Sequence, residues 1–414
     1  MQFNCHDIRS TSSGPSLSLA GARKKIIACL TPLPRETVSL ARGLGRVPVQ
    51  SIKSTRPKPF FDQSTRDGYA LGEHPLTAGN NCLFTLIGEI AAGSTTPHTL
   101  TAGQAVRIMT GARLPVGCRR VVPFELCGEK DNRVLIPSRL LKSPQMFIRR
   151  RGQDLQANRV IAGAGKRLLP DHLLLLAENG LTNVAVHRQP GVAVLCTGSE
   201  LVTPGKKIIQ GQKVSGNGVL LQGLIQEAGG TCIHAATVGD SREAIAAELE
   251  RLLTLGPDMI ITTGGMGPGK FDLLEQIFTR LQGELLYNSL KVRPGKSTLF
   301  GLLAGIPFFG LPGPPPAVRL LFHELVAPAI YRLQGMRRPV PPTHTAQLLE
   351  PIAAGKSSHL NLKGGVVTHR DGRLCVRLAG NRDAVNGVLH LRGKKHPFGV
   401  GDKVTVRLTA PYSG

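Results

Sequence analysis

Apolar residues follow two spacings in the second half of the chain. Short runs such as 192–198 and 259–265 predict buried strands, and the stretches 242–253 and 271–281 carry apolar residues at helical spacing. Alternation of strands and helices is typical of a doubly wound parallel sheet, whose ligands bind at the carboxyl ends of the strands. We therefore predict an α/β domain over residues 190–336.

The rest of the chain has shorter patterns. Apolar residues at helical spacing predict helices, and short β-type runs between Gly and Pro turns predict small β domains. In chain order, the predicted elements are helices over 18–46 with breaks at Pro32 and Pro34, a β domain over 59–145, a strand over 146–151, a helix over 171–181 that ends near Gly180, and a second β domain over 339–414.

The segment from Asp258 to Asp272 has the order strand, glycine-rich turn, helix. Its glycines let backbone N–H groups approach an anion, because no Cβ intervenes. In α/β proteins this arrangement holds phosphate at a helix N-terminus, and a neighbouring carboxylate such as Asp272 can hold a metal that bridges to the phosphate. A P-loop is the less favoured interpretation, because Phe271 stands where Ser or Thr would hold Mg²⁺.

Three predicted strands of this domain end in turns that contain glycine. These turns are Thr197-Gly198-Ser199-Glu200, Gly264-Gly265 and Pro312-Gly313. Because the carboxyl ends of parallel strands lie at one edge of the sheet, we expect the three turns to line one crevice.

The charge balance is strongly basic. Lys and Arg total 51 against 27 Asp and Glu, a formal net charge of +24. Such a field attracts nucleic acid, acidic lipid or phosphorylated ligands. The basic residues are dispersed and aromatic residues are few, which favours a solvated surface over a specific nucleic-acid groove.

Composition also bears on compartment and on metals. The eight cysteines include no CxxC pair, which argues against a zinc site and is typical of free thiols in a reducing compartment. No apolar run reaches the roughly 18 residues that a membrane span needs. The polar residues 1–18 predict a disordered tail and lack the apolar core of a signal peptide. We expect a cytoplasmic protein without a membrane span.

Seven segments together resemble one family, the molybdopterin molybdenumtransferases, which are MoeA-type proteins related to the E domain of gephyrin. The resemblance runs from about residue 20 to the C-terminus. The segments occur in the family's order and are FDQSTRDGYAL (61–71), RIMTGARLPVGCRRVV (107–122), IRRRGQDL (148–155), TGSELVTPG (197–205), TTGGMGPGKFD (262–272), VRPGKS (292–297) and LPGPPP (311–316).

The resemblance implies a multidomain α/β protein. It implies a homodimer with the site between subunits, and a molybdopterin adenylyltransferase is a candidate partner. The implied domains are a tail over 1–18, a discontinuous elongated helical and β domain over 19–56 and 146–189, an inserted small β domain over 57–145, the molybdopterin-binding doubly wound domain over 190–336, and a C-terminal barrel-like β domain over 337–414.

The resemblance also implies a reaction: Mg²⁺-dependent insertion of molybdate into adenylylated molybdopterin, with release of AMP. By match to the family motifs, the expected catalytic residues are Asp67, Asp240 and Asp272. The expected metal ligands are Asp240, Asp272 and Glu200. The expected substrate-binding residues are Thr110, Arg149, Asp154, Thr197, Gly198, Glu200, Gly264, Gly265, Arg293, Lys296 and Gly313.

Each residue taken singly also has an ordinary structural interpretation. Asp67 could cap a turn, Glu200 could cap a helix, and Arg149 with its two basic neighbours could form a solvated face. The functional interpretation rests on the joint occurrence of the motifs in this order.

The chain departs from the family where molybdate is expected to bind. Hydroxyl-bearing residues of the family are replaced by Gly267, Ala317 and Ala384, an arginine by Lys363, and an asparagine by Pro314. Lysine lacks the bidentate geometry of arginine, and proline lacks a backbone donor. A non-catalytic paralogue that binds or carries molybdopterin, or scaffolds partners, is therefore an alternative function. A basic nucleic-acid-associated protein is a third.

Overall fold

The computed structural model describes residues 16–73, 76–78, 80–265, 273–353, 359–392 and 397–409. The strands are β1 (Arg35–Ser39), β2 (Ile52–Lys53), β3 (Gln63–Ser64), β4 (Gly68–Leu71), β5 (Leu76–Ala78), β6 (Asn81–Ile90), β7 (Gln104–Ile108), β8 (Arg120–Pro123), β9 (Gly128–Lys130), β10 (Arg133–Pro137), β11 (Ile148–Arg149), β12 (Val160–Ala162), β13 (Asn183–His187), β14 (Gly191–Thr197), β15 (Leu201–Val202), β16 (Lys213–Val214), β17 (Thr231–Val238), β18 (Met259–Thr263), β19 (Glu284–Ser289), β20 (Val292–Arg293), β21 (Ser297–Leu303), β22 (Ile306–Leu311), β23 (His344–Leu348), β24 (Leu360–Arg370), β25 (Arg373–Leu378), β26 (Gly387–Arg392) and β27 (Lys403–Leu408).

The helices of the described residues follow the same order. They are α1 (Leu19–Cys29), α2 (Ser138–Lys142), α3 (Pro170–Glu178), α4 (Asn217–Glu227), α5 (Arg242–Thr254), α6 (Leu274–Arg280), α7 (Pro315–Leu321) and α8 (Ala327–Leu333), with short 3₁₀ turns at Leu40–Arg42 and Phe124–Leu126 and a π-helical stretch at Phe322–Val326 that joins α7 to α8.

The chain divides into two compact units. One contains Met1–Gln50, Ala164–Leu169 and Asn183–Gly414, and the other contains Ser51–Gly163 and Pro170–Thr182. The finer domain boundaries given above remain predictions.

The larger unit contains a six-stranded sheet in the order β17-β14-β18-β22-β21-β19. The first four strands are parallel, and β21 and β19 continue the sheet antiparallel. Alternate residues pack on opposite faces: Val194 and Ile261 belong to one core, and Ala193 and Ile260 to the other. Strands buried on both faces explain the continuous apolar runs, and the predicted doubly wound α/β domain is confirmed. The antiparallel edge strands were not predicted.

The C-terminal part of this unit is a closed five-stranded barrel. The strands pair in the cycle β24-β25-β23-β27-β26 and back to β24, and β20 adds alongside β24. Its core includes Leu348, Val376, Leu389 and Val406. Closure leaves no free edge within the cycle. This confirms the predicted C-terminal barrel-like domain, although β23 and β26 were not predicted individually.

The smaller unit is built on a seven-stranded sheet. The order is β8-β4-β7-β6-β10-β9, with β5 paired to β6. One face packs around Phe84 and Val134, and the other around Val106 and Ile108. The short strands between turns predicted for 59–145 are therefore present.

One predicted helix is wrong. The helical pattern over 18–46 forms a helix only at α1, whereas the segment after Pro34 forms strand β1, antiparallel to β13. Residues of β1 alternate between exposed and half-buried positions, which suits a two-stranded ladder. Pairing with a strand about 150 residues further along the chain outweighs the local helical spacing, because weak propensity yields to tertiary contact.

Within the described residues, no helix combines the length and apolar character needed to cross a membrane.

Candidate functional site

A cavity of about 600 Å³ lies at the carboxyl edge of the parallel strands. It is formed by the turns after β14, β17, β18 and β22 and by the start of α4. This is the position at which open α/β sheets bind ligands. Its lining comprises Thr197, Gly198, Glu200, Leu201, Lys213, Val214, Ser215, Gly216, Asn217, Asp240, Thr263, Gly264, Gly265, Gly313, Pro314 and Pro315.

Glycine is required where the turns approach one another. Gly264 has a φ of +95°, and a Cβ there would lie 2.3 Å from the carbonyl oxygen of Thr197. A Cβ at Gly198 would lie 2.8 Å from a carboxylate oxygen of Glu200. A side chain at Gly264 would force its turn away from Thr197, and one at Gly198 would displace Glu200 within its own turn, so these glycines keep the cavity wall close-packed.

Asn217 joins three elements of the cavity. Its side-chain amide nitrogen donates to Thr263 Oγ1 at 3.2 Å and to the carbonyl oxygen of Gly313 at 2.7 Å. The side chain is buried, with 6% of the residue exposed. This contact holds the start of α4 against the turns that follow β18 and β22.

Ser199 and Asp240 connect the two remaining turns through a reciprocal pair of hydrogen bonds. The backbone N–H of Ser199 donates to Asp240 Oδ2 at 3.1 Å, and the backbone N–H of Asp240 donates to Ser199 Oγ at 3.0 Å. The pair orients the Asp240 carboxylate and leaves its other oxygen, Oδ1, without a described donor.

The N-terminus of α4 contributes unpaired backbone donors. In the described part of the chain, the N–H groups of Asn217, Gly218 and Val219 have no acceptor. Such groups, with the positive end of the helix dipole, bind phosphate. The start of α7 offers fewer donors, because its first two residues, Pro315 and Pro316, have no N–H.

The cavity collects most of the residues predicted in this unit. Those that line it are Thr197, Gly198, Glu200, Asp240, Gly264, Gly265 and Gly313. Asp272 lies outside the described residues. Arg293 and Lys296 are exposed near β20 and are not among the residues that line the cavity.

Sequence reasoning missed Asn217 as a cavity residue. The available signal was Ser215-Gly216-Asn217 immediately before an apolar helical pattern, which marks a helix start. That signal gives no indication of the distant partners, Thr263 and Gly313, which only the folded sheet brings to Asn217.

In the smaller unit, Asp67 and Thr110 form a direct pair. Asp67 Oδ1 accepts from the backbone N–H of Thr110 at 2.7 Å and from its hydroxyl at 2.8 Å. Both donors stabilise the ionised carboxylate, so they hold the pKa of Asp67 below its ordinary value. The contact supports the turn-capping interpretation of Asp67 and leaves Oδ2 without a described donor.

Arg149 and Asp154 form a two-point ion pair. Arg149 Nε lies 2.9 Å from Asp154 Oδ1, and one terminal guanidinium nitrogen lies 2.8 Å from Oδ2. Two of the donors of Arg149 are therefore already bound to a neighbouring carboxylate. Strand β11 pairs Arg149 with Gln63 of β3, and Gln63 precedes Asp67 by four residues in the sequence.

The cavity lining contains two carboxylates that suit a hard cation. The Glu200 carboxylate makes no described hydrogen bond or ion pair, and one oxygen of the Asp240 carboxylate has no described donor. Mg²⁺ in proteins is held by one or two carboxylates together with substrate phosphates, so the chemical type of these side chains suits that ion. Among the described residues there is no group of three or more His, Cys, Asp or Glu placed to hold a metal. The third predicted ligand, Asp272, lies outside that part.

Comparison with known families covers both units. Residues 17–180 match the family described as "MoeA N-terminal region (domain I and II)". Residues 193–332 match the family described as "Probable molybdopterin binding domain". All the residues that line the cavity lie within the second matched region.

Whole-chain relatives agree with these matches. A molybdopterin molybdenumtransferase from Nostoc sp. is 31% identical over 88% of this chain and 81% of its own length. One from Staphylococcus epidermidis is 28% identical over 96% of each chain. A solved structure of a molybdopterin biosynthesis MoeA protein from Pyrococcus horikosii is 27% identical, covers 96% of this chain and 100% of its own, and superposes with a TM-score of 0.78.

The fold and the sheet-edge cavity thus define a multidomain protein of the MoeA class. The chain belongs to the molybdopterin molybdenumtransferase family, an enzyme family of molybdenum cofactor biosynthesis.

Proposed function

We propose that this chain inserts molybdate into adenylylated molybdopterin, with Mg²⁺-dependent release of AMP. The observation that carries the proposal is one cavity that combines free N–H groups at the start of α4 with the carboxylates of Glu200 and Asp240. A phosphoanhydride needs both features: donors for its oxygens and acidic groups for a bridging cation.

The described residues have separable roles in this reaction. The free N–H groups of α4 bind phosphate oxygens, and the glycine turns admit the substrate close to the backbone. Glu200 and Asp240 would hold Mg²⁺, which when bound would offset negative charge that develops on the phosphate. The Ser199 N–H fixes the direction of the Asp240 carboxylate, so that this group does not need to reorient as substrate binds.

Few oxyanion donors stand at the positions where the motif matches place molybdate binding. Ala317 is buried and carries no hydroxyl, and Ala384 and Lys363 are exposed in the structure. Gly267 lies outside the described residues. The predicted loss of oxyanion donors supports a lower affinity for molybdate. The same loss is also consistent with the alternative function, that of a non-catalytic paralogue that binds or carries molybdopterin.

Membership of this family supports a proposal about assembly. We propose a homodimer whose second subunit completes the site, located in the cytoplasm, with a molybdopterin adenylyltransferase as the partner that supplies substrate. In that arrangement Asp67, Thr110, Arg149, Asp154, Arg293 and Lys296 contribute to substrate binding, as the motif matches suggest.

The decisive experiment follows AMP release by the purified protein with adenylylated molybdopterin, Mg²⁺ and molybdate. We expect release that requires both Mg²⁺ and molybdate. Tight pterin binding without AMP release would favour the non-catalytic alternative. Absence of pterin binding, together with salt-sensitive binding of nucleic acid, would favour a nucleic-acid-associated protein instead.

A further inference from the structure

A second cavity, of about 550 Å³, lies beside the N-terminus of α1 in the larger unit. It shares no lining residue with the cavity at the sheet edge. Its walls come from α1, from the residue before β20, and from strands β24, β26 and β27 of the barrel. The walls therefore bring together parts of the chain that are almost 400 residues apart.

Four cations converge on this cavity, three of them from α1, β26 and β27 and one from the residue before β20. They are Arg23, Lys291, Arg392 and Lys403. No carboxylate is among the described residues that line it, and in that same part of the chain Lys291, Arg392 and Lys403 have no ion-pair partner. Dispersed surface charge explains the basic composition of the protein but does not by itself predict four cations around one cavity.

The N-terminus of α1 adds unpaired backbone donors at the same place. Ser18 caps the helix by accepting from the N–H of Gly21 at 3.1 Å. The N–H groups of Leu19 and Ala20, which line the cavity, have no acceptor within the residues that the structure describes. The helix dipole therefore reinforces the positive potential of the four cations.

A buried layer beneath the cavity carries excess positive charge. The fully buried carboxylate of Glu324 contacts Arg23, Arg407 and His390. Burial lowers the pKa of both Arg23 and Arg407 to about 10, so both are charged at neutral pH. Burial and the two arginines lower the pKa of His390 to about 4, so its ring is neutral there.

The carboxylate of Glu324 thus forms ion pairs with two buried guanidinium groups, those of Arg23 and Arg407. Arg407 is only 3% exposed, and its Nη1 has no hydrogen-bond partner among the described residues. An incompletely paired buried cation is costly, and an anion bound nearby would reduce that cost. Arg407 is not among the residues that line the cavity, but the net positive charge of this buried layer, to which Arg23 of the lining belongs, adds to the attraction of the cavity for an anion.

We propose that this second cavity binds a small molecule that carries a phosphate monoester. A phosphate dianion offers several acceptor oxygens to the convergent cations and to the free N–H groups of α1. The cavity exceeds the volume of a bare phosphate and falls in the range of small-molecule sites. Leu360 and Phe398 also line it, and they provide apolar surface for the organic part of the ligand.

Calorimetric titration with phenyl phosphate tests the proposal. This probe combines a phosphate monoester with an apolar ring. The test variant is the double substitution Arg392→Gln with Lys403→Gln, both at exposed positions. We expect it to bind the probe at least tenfold more weakly than the wild type does, because two charge-assisted contacts are lost. Lys291→Gln, at a third exposed position, should weaken binding in the same direction.

A matched control, Arg370→Gln with Arg373→Gln, removes the same charge elsewhere on the barrel. Arg370 ends β24 and Arg373 begins β25, and the length of β24 places Arg370 roughly 30 Å from Leu360, the β24 residue that lines the cavity. The control variant should change the affinity less than twofold. Equal affinities for the wild type and both double variants would overturn the proposal, as would equal weakening in both, which would indicate only the general field of a basic protein.

A further arm separates a small ligand from an acidic protein partner. A hexaglutamate peptide should bind more weakly than phenyl phosphate. Tighter binding of the peptide, lost in the Arg392→Gln with Lys403→Gln variant, would overturn the assignment to a phosphorylated small molecule in favour of an acidic chain. Thermal unfolding of each variant checks that the barrel remains folded.

Discussion

The side-chain amide nitrogen of Asn217 donates a 2.7 Å hydrogen bond to the carbonyl oxygen of Gly313. A carbonyl oxygen can only accept, so this contact decides which way the amide group points. The opposite amide atom, Oδ1, is buried without a described partner. One side chain thus connects the phosphate-binding start of α4 to the turn after β22, across 96 residues of sequence.

We expect Asn217→Ala to weaken both stability and activity. The substitution leaves the Gly313 carbonyl without its donor, so the free energy of unfolding should fall by about 1–3 kcal/mol. AMP release should slow at least tenfold, because the start of α4 is no longer held against the turns. Urea denaturation and the AMP assay measure the two effects.

Gln222→Ala is the matched control for this substitution. It removes an amide from an exposed position of the same helix. It should leave both quantities nearly unchanged. A similar loss of AMP release in both variants would mean that α4 as a whole, rather than the contact to Gly313, supports activity.

The carboxylates of the cavity should determine the Mg²⁺ dependence. In Asp240→Asn, the amide oxygen can still accept from the Ser199 N–H, so the turn should persist while the charge is lost. We expect Asp240→Asn and Glu200→Gln each to abolish AMP release or to shift its Mg²⁺ requirement to much higher concentration. Asp272→Asn, outside the described residues, is expected to do the same.

Glu243→Gln is the control for the carboxylates. This residue lies in the first turn of α5, is exposed and is not in the cavity lining. Its Mg²⁺ titration should match that of the wild type. If Asp240→Asn and Glu200→Gln also retain the wild-type Mg²⁺ titration, neither residue is a ligand of the ion.

The contact between Asp67 and Thr110 should appear in a pH titration. Two donors from Thr110 hold the pKa of Asp67 below its ordinary value. A lowered carboxylate pKa stabilises the folded protein above the unfolded-state pKa, and this contribution disappears as the pH falls through the folded-state pKa. Thr110→Val removes the hydroxyl donor and keeps the backbone donor, so the pKa of Asp67 should rise part of the way back.

Carbon-detected NMR of the Asp67 carboxyl group measures this pKa directly. Thr99→Val, in the same unit, is the control and should leave the titration unchanged. An identical pKa in the wild type and Thr110→Val would show that the hydroxyl does not contribute.

Molybdate insertion should be limited by lost oxyanion donors. Each charge-assisted hydrogen bond lost to an oxyanion costs about 1.5–3 kcal/mol, so the loss of several weakens molybdate binding by orders of magnitude. We expect the combined variant Gly267→Ser, Ala317→Ser and Lys363→Arg to need less molybdate for half-maximal AMP release, with little change in adenylate affinity. Saturation of the native protein at micromolar molybdate would contradict the predicted loss.

The sequence pattern predicted local structure correctly where that structure depends on residues close together in the chain. The turn at Gly264 was predicted from its glycines, and the structure shows the close approach to Thr197 that requires them. The same approach failed for β1, because the partner strand β13 lies far along the chain and no local signal identifies it.

Residue patterns along the chain were enough to predict the doubly wound domain, the C-terminal β domain, the family, and seven of the sixteen residues that line the sheet-edge cavity. Hydrophobic spacing and glycine-rich turns are local properties, so they can be read along the chain. The folded chain alone shows that Asn217 joins Thr263 to Gly313 and that the barrel closes through β24 and β26. These contacts depend on which distant segments fold against one another, and the spacing of residues along one segment does not specify its partner.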